Sequence, residues 1–471
     1  MNTTSPWVFP TTFWPRSKAR FPGRLWMLIE AILILSYTVK PSPYRPLLFF
    51  VPIAILVTYS LFFTRMTNLE HVANNDWGMA CRLVTIFLFA STNILLCDVQ
   101  RELIPIKFVK KGGKHKKDDD ERGEGPSRGR SISEESFMTR LKWGFSLWFN
   151  PRVVNFTDES TAILPPRPAH STRLSFIAHQ LRSALIIALL YDVTGIIGRA
   201  NPYFGIATPN VVGYQQLWRL GGFLYGLMIY SLLQFEHKLA AMISVGLGLT
   251  RPEDWPSLFN SFKYAYTLRG LWGSEFSSSS VVIALMSSCV CFTQKNLASD
   301  VQKSGANILH ASYFSQKLGI PPKSTIASFF TLYLSFAMSG ILHHAGDAMA
   351  MQSITRPGAF QFFMLQAVGI TLEDVILRLV GAATTKGESK ASLVSAKENV
   401  DVDVHSKEVL PKWPVRLVGF VWVLLWLTLT LPLWTDEMCR NGFMRQIPQL
   451  SFILGVWKGE WAPEGWQPVK K

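Results

Sequence analysis

Polar and apolar residues are sorted unevenly along this chain. Apolar runs recur near Leu25–Tyr37, Pro46–Phe63, Cys81–Leu96, Ser183–Ile197, Gly222–Leu233, Ser324–Leu342, Phe360–Val380 and Leu417–Leu433, while polar residues collect in loops, chiefly Gln100–Arg182 and Thr384–Arg416. Several runs approach the roughly 20 residues that cross a bilayer as helix. Hydrocarbon offers a backbone N–H or C=O no outside partner, so each run must be a helix or a strand of a closed barrel. Leu, Ile and Phe dominate the runs without the sustained alternation of a barrel strand. The pattern therefore predicts an all-α, polytopic membrane protein with about eight or nine transmembrane helices, embedded in membrane lipid.

The same pattern divides the chain. N-terminal transmembrane helices occupy 1–99, a basic loop 100–182, a transmembrane core 183–384, a polar linker 385–416, and a last transmembrane helix with its tail 417–471. Within the loop, KKGGKHKKDDDERGEGPSRGR after Val109 is too polar to bury a core and reads as disordered. Phe137–Asn150 mixes Phe137, Leu141, Trp143, Phe145, Leu147 and Trp148 with Arg140 and Lys142, the composition of a helix lying along a membrane interface. The linker, with GESKASLVSAKENVDVDVHSKE, is similarly polar. No internal repeat of fixed period is present.

Charge and cysteine content narrow the function classes. A formal net charge of +15 in a soluble protein would point to nucleic acid, but here the densest basic cluster, nine Lys and Arg within Lys107–Arg130, lies in a loop between membrane spans. The tendency of basic loops to remain cytosolic explains it without a nucleic-acid partner. The five cysteines form no CxxC pair and predict neither a disulfide framework nor structural zinc. Arg16, Lys18, Arg20 and Arg24 ahead of the first apolar run, with no small-residue cleavage site, read as a retained signal anchor and favour the endoplasmic reticulum.

Chemistry concentrates in Leu332–Asp347, LYLSFAMSGILHHAGD, where an apolar helix carries His343, His344 and Asp347. Ionisable groups at membrane depth are costly, which makes them functional candidates. An imidazole, which titrates near neutrality, can take a proton from an alcohol as that alcohol attacks a thioester. Asp347 follows His343 by one helical turn and can orient its ring. The alternative is that both histidines lie in the headgroup layer, where they cost little and need no function. A metal site fits poorly, because adjacent histidines point to different helix faces and the i, i+4 pair is absent. Asp192, Glu236, His237, Glu373 and Asp374 are better explained as interhelical or interfacial groups than as catalysts. Gly222 and Gly226 permit a close helix approach but predict no dimer.

LYLSFAMSGILHHAGD resembles the histidine motif of the membrane-bound O-acyltransferases, in the SG-x-x-H-x-x-GD form of fungal wax-synthase-like acetyltransferases. His343 falls at that family's catalytic histidine. The likeness extends, in order, through TNILLCDVQRELIP at Thr92–Pro105, TRLKWGFSLWFNPR at Thr139–Arg152, LPPRP at Leu164–Pro168 and RPEDWPSLFNSFKYAYTLRGLWG at Arg251–Gly273. The resemblance implies an MBOAT-like helical core and transfer of an acyl group from acyl-CoA, acetyl-CoA in this branch, to a terpenoid or meroterpenoid hydroxyl in secondary metabolism. It implies no bound cofactor beyond this co-substrate. It assigns catalysis to His343, His344 and Asp347 and substrate binding to Arg269, Trp272 and Gly273. A long-chain wax ester synthase is the alternative within the family, and a small-molecule transporter the alternative outside it.

One stretch departs from the family. Its second motif runs Leu-Arg-x-Phe-Trp-Gly-x-x-Trp-His; Leu268, Arg269, Trp272 and Gly273 match, Leu271 replaces phenylalanine, and Phe276 and Ser277 stand where Trp-His belongs. Either the coding sequence reads through an intron or shifts frame across 274–310, or the motif is lost and the protein is a non-catalytic relative. The abrupt end and return of the likeness around an intact histidine helix favour the first.

Overall fold

The computed structural model describes residues 19–65, 73–96, 98–105, 131–150, 154–156, 172–201, 221–259, 262–272, 321, 324–351, 358–388, 413–440 and 451–461. Over these the chain is all-α, as the apolar runs predict. The exceptions are a two-residue parallel pair, β1 (Ala19–Arg20) with β2 (Thr64–Arg65), and an isolated antiparallel bridge between Pro105 and Phe156. Among the described residues six helices are long and apolar enough to cross a membrane: Pro46–Phe63, Asp76–Leu95, Arg173–Gly198, Thr325–Met351, Ala359–Leu379 and Trp413–Thr430. The other two apolar runs become α1 (Gly23–Thr38), only 16 residues long, and a 26-residue helix, Gly221–Gly246, whose run is broken by Gln234, Glu236, His237 and Lys238. The low-complexity loop, the three prolines Pro165, Pro166 and Pro168, and most of the second linker lie outside the described residues.

The N-terminal unit is a bundle built around α1. Proline opens the second span at Pro46, where a lost N–H costs nothing, and the turn Pro46–Phe50 leads into α2 (Val51–Phe63). α3 (Ala73–Ala90) and the short α4 (Val99–Glu102) follow, then α5 (Phe137–Trp148), which Ser136 starts by accepting from the Thr139 N–H. α5 buries Arg140, Trp143, Gly144, Leu147 and Trp148 and leaves Phe137, Met138 and Phe145 exposed, the two-sided character expected of Phe137–Asn150. Arg140 is not an outward charge. Its Nε donates to the Thr38 carbonyl at 2.8 Å, and Gln100 Nε2 donates to the Tyr37 and Val39 carbonyls at 2.5 and 2.8 Å. These bonds satisfy the open carbonyls at the C-terminal end of α1, which hydrocarbon cannot. They also account for residues of the TNILLCDVQRELIP and TRLKWGFSLWFNPR segments.

α6 (Arg173–Ala200) and α7 (Gly221–Gly246) run along each other, closed at one end by Phe176, Ala241 and Val245. The RPEDW segment is pinned beyond α7. Asp254 accepts from the Arg251 N–H at 2.8 Å and from the Asn155 amide at 2.7 Å, and Asn155 takes a left-handed φ of 66° to reach it. α8 (Leu268–Gly270) is a single turn capped by Thr267. Then come α9 (Thr325–Met351), α10 (Ala359–Glu388), α11 (Trp413–Thr430), α12 (Pro432–Arg440) and α13 (Phe452–Lys458). Asp192 accepts from the Ile453 N–H at 2.8 Å and so joins α13 to α6. On α11, Leu417, Val421, Leu424, Leu425 and Leu429 are all exposed along one stripe, a surface that only lipid covers comfortably.

Candidate active site

α9 is packed on both sides through glycines. A Cβ at Gly340 would come within 2.9 Å of the Phe360 ring and 3.1 Å of its Cα, so the missing side chain is what lets α10 approach. A Cβ at Gly346 would lie 2.8 Å from both the Cys81 sulfur and Trp77 Nε1, so the same device admits α3. His343 lies between these two contacts, 5% exposed. Its imidazole is nearly coplanar in orientation with the Phe363 ring, at 4.7 Å and 3°, and stacks with Trp77 at 5.5 Å and 27°. Trp434 closes a third side at 5.1 Å. Nδ1 of His343 has no hydrogen-bond partner among the described residues.

Asp347 is wholly buried one turn along. Its Oδ1 accepts from the Trp77 indole N–H at 2.9 Å, and the Trp434 indole and the Ala359 backbone N–H also act on the carboxylate. The expected carboxylate-to-imidazole hydrogen bond is not formed. The two residues do share a helix face, but the carboxylate is turned to the indole of α3 instead of back along α9. His344, about 100° further round the helix, is half-buried and is not one of the rings that enclose His343. Among the described residues no group of three His, Cys, Asp or Glu could hold a metal ion.

The second motif reaches the same place by another route. Glu373 of α10 is buried and accepts from the backbone N–H groups of Leu268 and Arg269 at 2.6 and 3.2 Å, and from the Trp422 indole at 2.8 Å. Asp374 faces Arg269 as a two-pronged ion pair, Nε to Oδ1 and Nη2 to Oδ2. The acidic pair of GITLEDVIL is thus the anchor of α8. Trp272 is held over the cluster, with its ring 5.7 Å from Phe336, 6.1 Å from Phe362 and 5.7 Å from Phe363. Phe363 touches both Trp272 and His343, so a single ring separates the two motifs. Gly273 and 274–310, with the departure from the family pattern, lie outside the described residues.

This geometry falls in a recognisable segment. Residues 255–365, which include Arg269, Trp272, His343 and Asp347, match the membrane bound O-acyl transferase family. The chain is similar to acetyltransferase ple2 of Rhodocybe pseudopiperita, with 25% identity covering 94% of this chain and 98% of that protein. It is likewise similar to acetyltransferase eriL of Hericium erinaceus, with 24% identity over 93% and 97%. Acetyltransferase spyB of Aspergillus fumigatus matches at 28% identity over 61% of this chain and 47% of its own length. Over 255–365 the chain resembles the membrane-bound O-acyltransferases, and over nearly its whole length it is similar to acetyltransferases. With six helices long and apolar enough to cross a membrane, it has the character of an integral membrane acyltransferase.

Several residues of the candidate site were not legible beforehand. Trp77, Phe363 and Trp434 surround His343, yet in sequence they are only aromatic residues in or beside apolar runs. Tyr225, Met438 and Cys439 pack against Trp77 and Trp434 to close the far side. Only Tyr225 and Phe363 lie on predicted spans, a position that lipid-facing aromatics share, and the others fall just outside one.

Proposed function

We propose that this protein transfers an acetyl group from acetyl-CoA to a hydroxyl of a terpenoid or meroterpenoid, with His343 as general base. The alcohol O–H breaks as the imidazole takes its proton; the oxygen attacks the thioester carbonyl, the C–S bond breaks, and the thiolate leaves as free CoA once protonated. His344 and Asp347 complete the catalytic segment, while Arg269, Trp272 and Gly273 bind substrate. No further cofactor is required, and the reaction belongs at the endoplasmic reticulum membrane, with the basic loop on its cytosolic side.

The observation that carries the reading is the buried imidazole of α9 where α3, α10 and α12 converge on it, inside the segment that matches the family. A histidine that merely served the headgroup layer would be wet, and His343 is 5% exposed. A buried polar ring with an unpaired nitrogen is costly unless a ligand completes it. Acetyl is preferred over a long chain because the curated relatives are named acetyltransferases.

The test is transfer from radiolabelled acetyl-CoA, with palmitoyl-CoA in parallel, to a panel of terpenoid alcohols by microsomes carrying the protein or its His343→Ala form. Ester formation that needs His343 is expected. Equal turnover by both forms would remove His343 from the chemistry, and transfer of palmitate alone would replace acetyl with a long-chain donor.

A further inference from the structure

The helix that closes the site from the other side, α3, lies outside the stretch 255–365 that matches the family, so nothing in that match assigns its residues a part. Trp77 and Cys81 are one turn apart on α3 and share a face. The Cys81 thiol sits 3.8 Å from the Leu342 carbonyl, while Trp77 touches both polar groups of α9, donating to Asp347 Oδ1 at 2.9 Å and stacking on His343 at 5.5 Å. Gly346 lies directly beneath, and its missing Cβ is the space that Trp77 Nε1 occupies.

We infer that Trp77 is a positioning residue for acyl transfer, holding the imidazole by its ring and the Asp347 carboxylate by its N–H so that both face the reacting hydroxyl together. The inference rests on His343 acting as base. When the imidazole takes the alcohol's proton it becomes a cation. That charge forms against the face of an indole and one turn from a carboxylate, both of which attract it. The neutral imidazole of the resting enzyme gains neither attraction. An interaction that strengthens only as the reaction proceeds lowers the barrier without tightening substrate binding, so Trp77 acts on kcat and leaves KM alone.

The experiment compares the full-length protein with Trp77→Phe, Trp77→Leu, Asp347→Ala, Trp77→Phe with Asp347→Ala, and His343→Ala, measuring kcat and KM for the acyl donor in microsomes. Size-exclusion profiles in detergent report folding. Trp77→Leu is expected to lower kcat on the order of 10-fold at unchanged KM, and Trp77→Phe, which keeps a ring but loses the N–H, to lower it less. In the Asp347→Ala background the further change to Phe is expected to cost under about twofold, because the hydrogen bond is already gone. Parental kcat in both Trp77 variants, or a rise in KM without a fall in kcat, overturns the inference. Should Trp77→Leu fail to fold, Trp77→Phe and its double variant decide. Activity surviving in His343→Ala would instead overturn the base assignment, so the two failures are distinguishable.

Discussion

Replacing Glu373 with alanine is expected to release the segment that carries Arg269 and Trp272. The side chain is buried and accepts three hydrogen bonds: from the backbone N–H groups of Leu268 and Arg269, which open α8, and from the Trp422 indole of α11. Alanine leaves all three donors without this acceptor in a buried to half-buried setting. Interhelical hydrogen bonds in membrane proteins average about 0.6 kcal/mol, which for three sets a floor of about 2 kcal/mol. Bonds to a charged acceptor run to about 1.5–3 kcal/mol each and set a ceiling several times higher. Even the floor enriches the undocked segment about 30-fold. Glu373→Gln keeps one carbonyl oxygen, which can still accept from Leu268 and Trp422, and is expected to cost about 1 kcal/mol. The assay is thermal unfolding of the purified protein followed by tryptophan fluorescence, alongside KM for the acyl donor in microsomes. The alanine form should melt several degrees lower and show a raised KM, with the glutamine form between it and the parent. An alanine variant with parental melting and parental KM would refute the anchoring role.

Gly346→Val is expected to force α3 away from α9, because its branched side chain occupies the position of Cys81 and Trp77; overpacking of this kind costs about 1–3 kcal/mol, read as a lowered melting temperature with a smaller drop for Gly346→Ala. Arg269→Lys keeps the charge but loses the two-pronged geometry toward Asp374. With side chains 34% and 21% exposed the loss of stability should stay below about 1 kcal/mol, so a change in acyl-donor KM at nearly constant melting temperature is the expected readout. Asp192→Ala removes the acceptor for the Ile453 N–H and is expected to loosen α13 by about 1 kcal/mol, seen as faster proteolysis at Lys458.

Composition and periodicity determined the class of the protein. Backbone groups must be satisfied inside hydrocarbon, so apolar runs of this length have no alternative to helix, and the fold class and most helix positions followed without tertiary information. The histidine helix was legible for the same reason, since polar groups such as His343 and Asp347 within an apolar run are expensive and therefore conspicuous. What those groups touch was not legible. Asp347 and His343 share a helix face by spacing, but spacing says nothing of a competitor, and the indole of Trp77, 270 residues away, takes the carboxylate. Glu373 and Asp374 read as interhelical polar groups, and only the packing of α10 against α8 made them the anchor of the second motif. Trp272 and His343 lie one Phe363 ring apart because two small residues, Gly340 and Gly346, let three helices close around a single point. The helices were a property of the chain and its solvent, and the site is a property of their contacts.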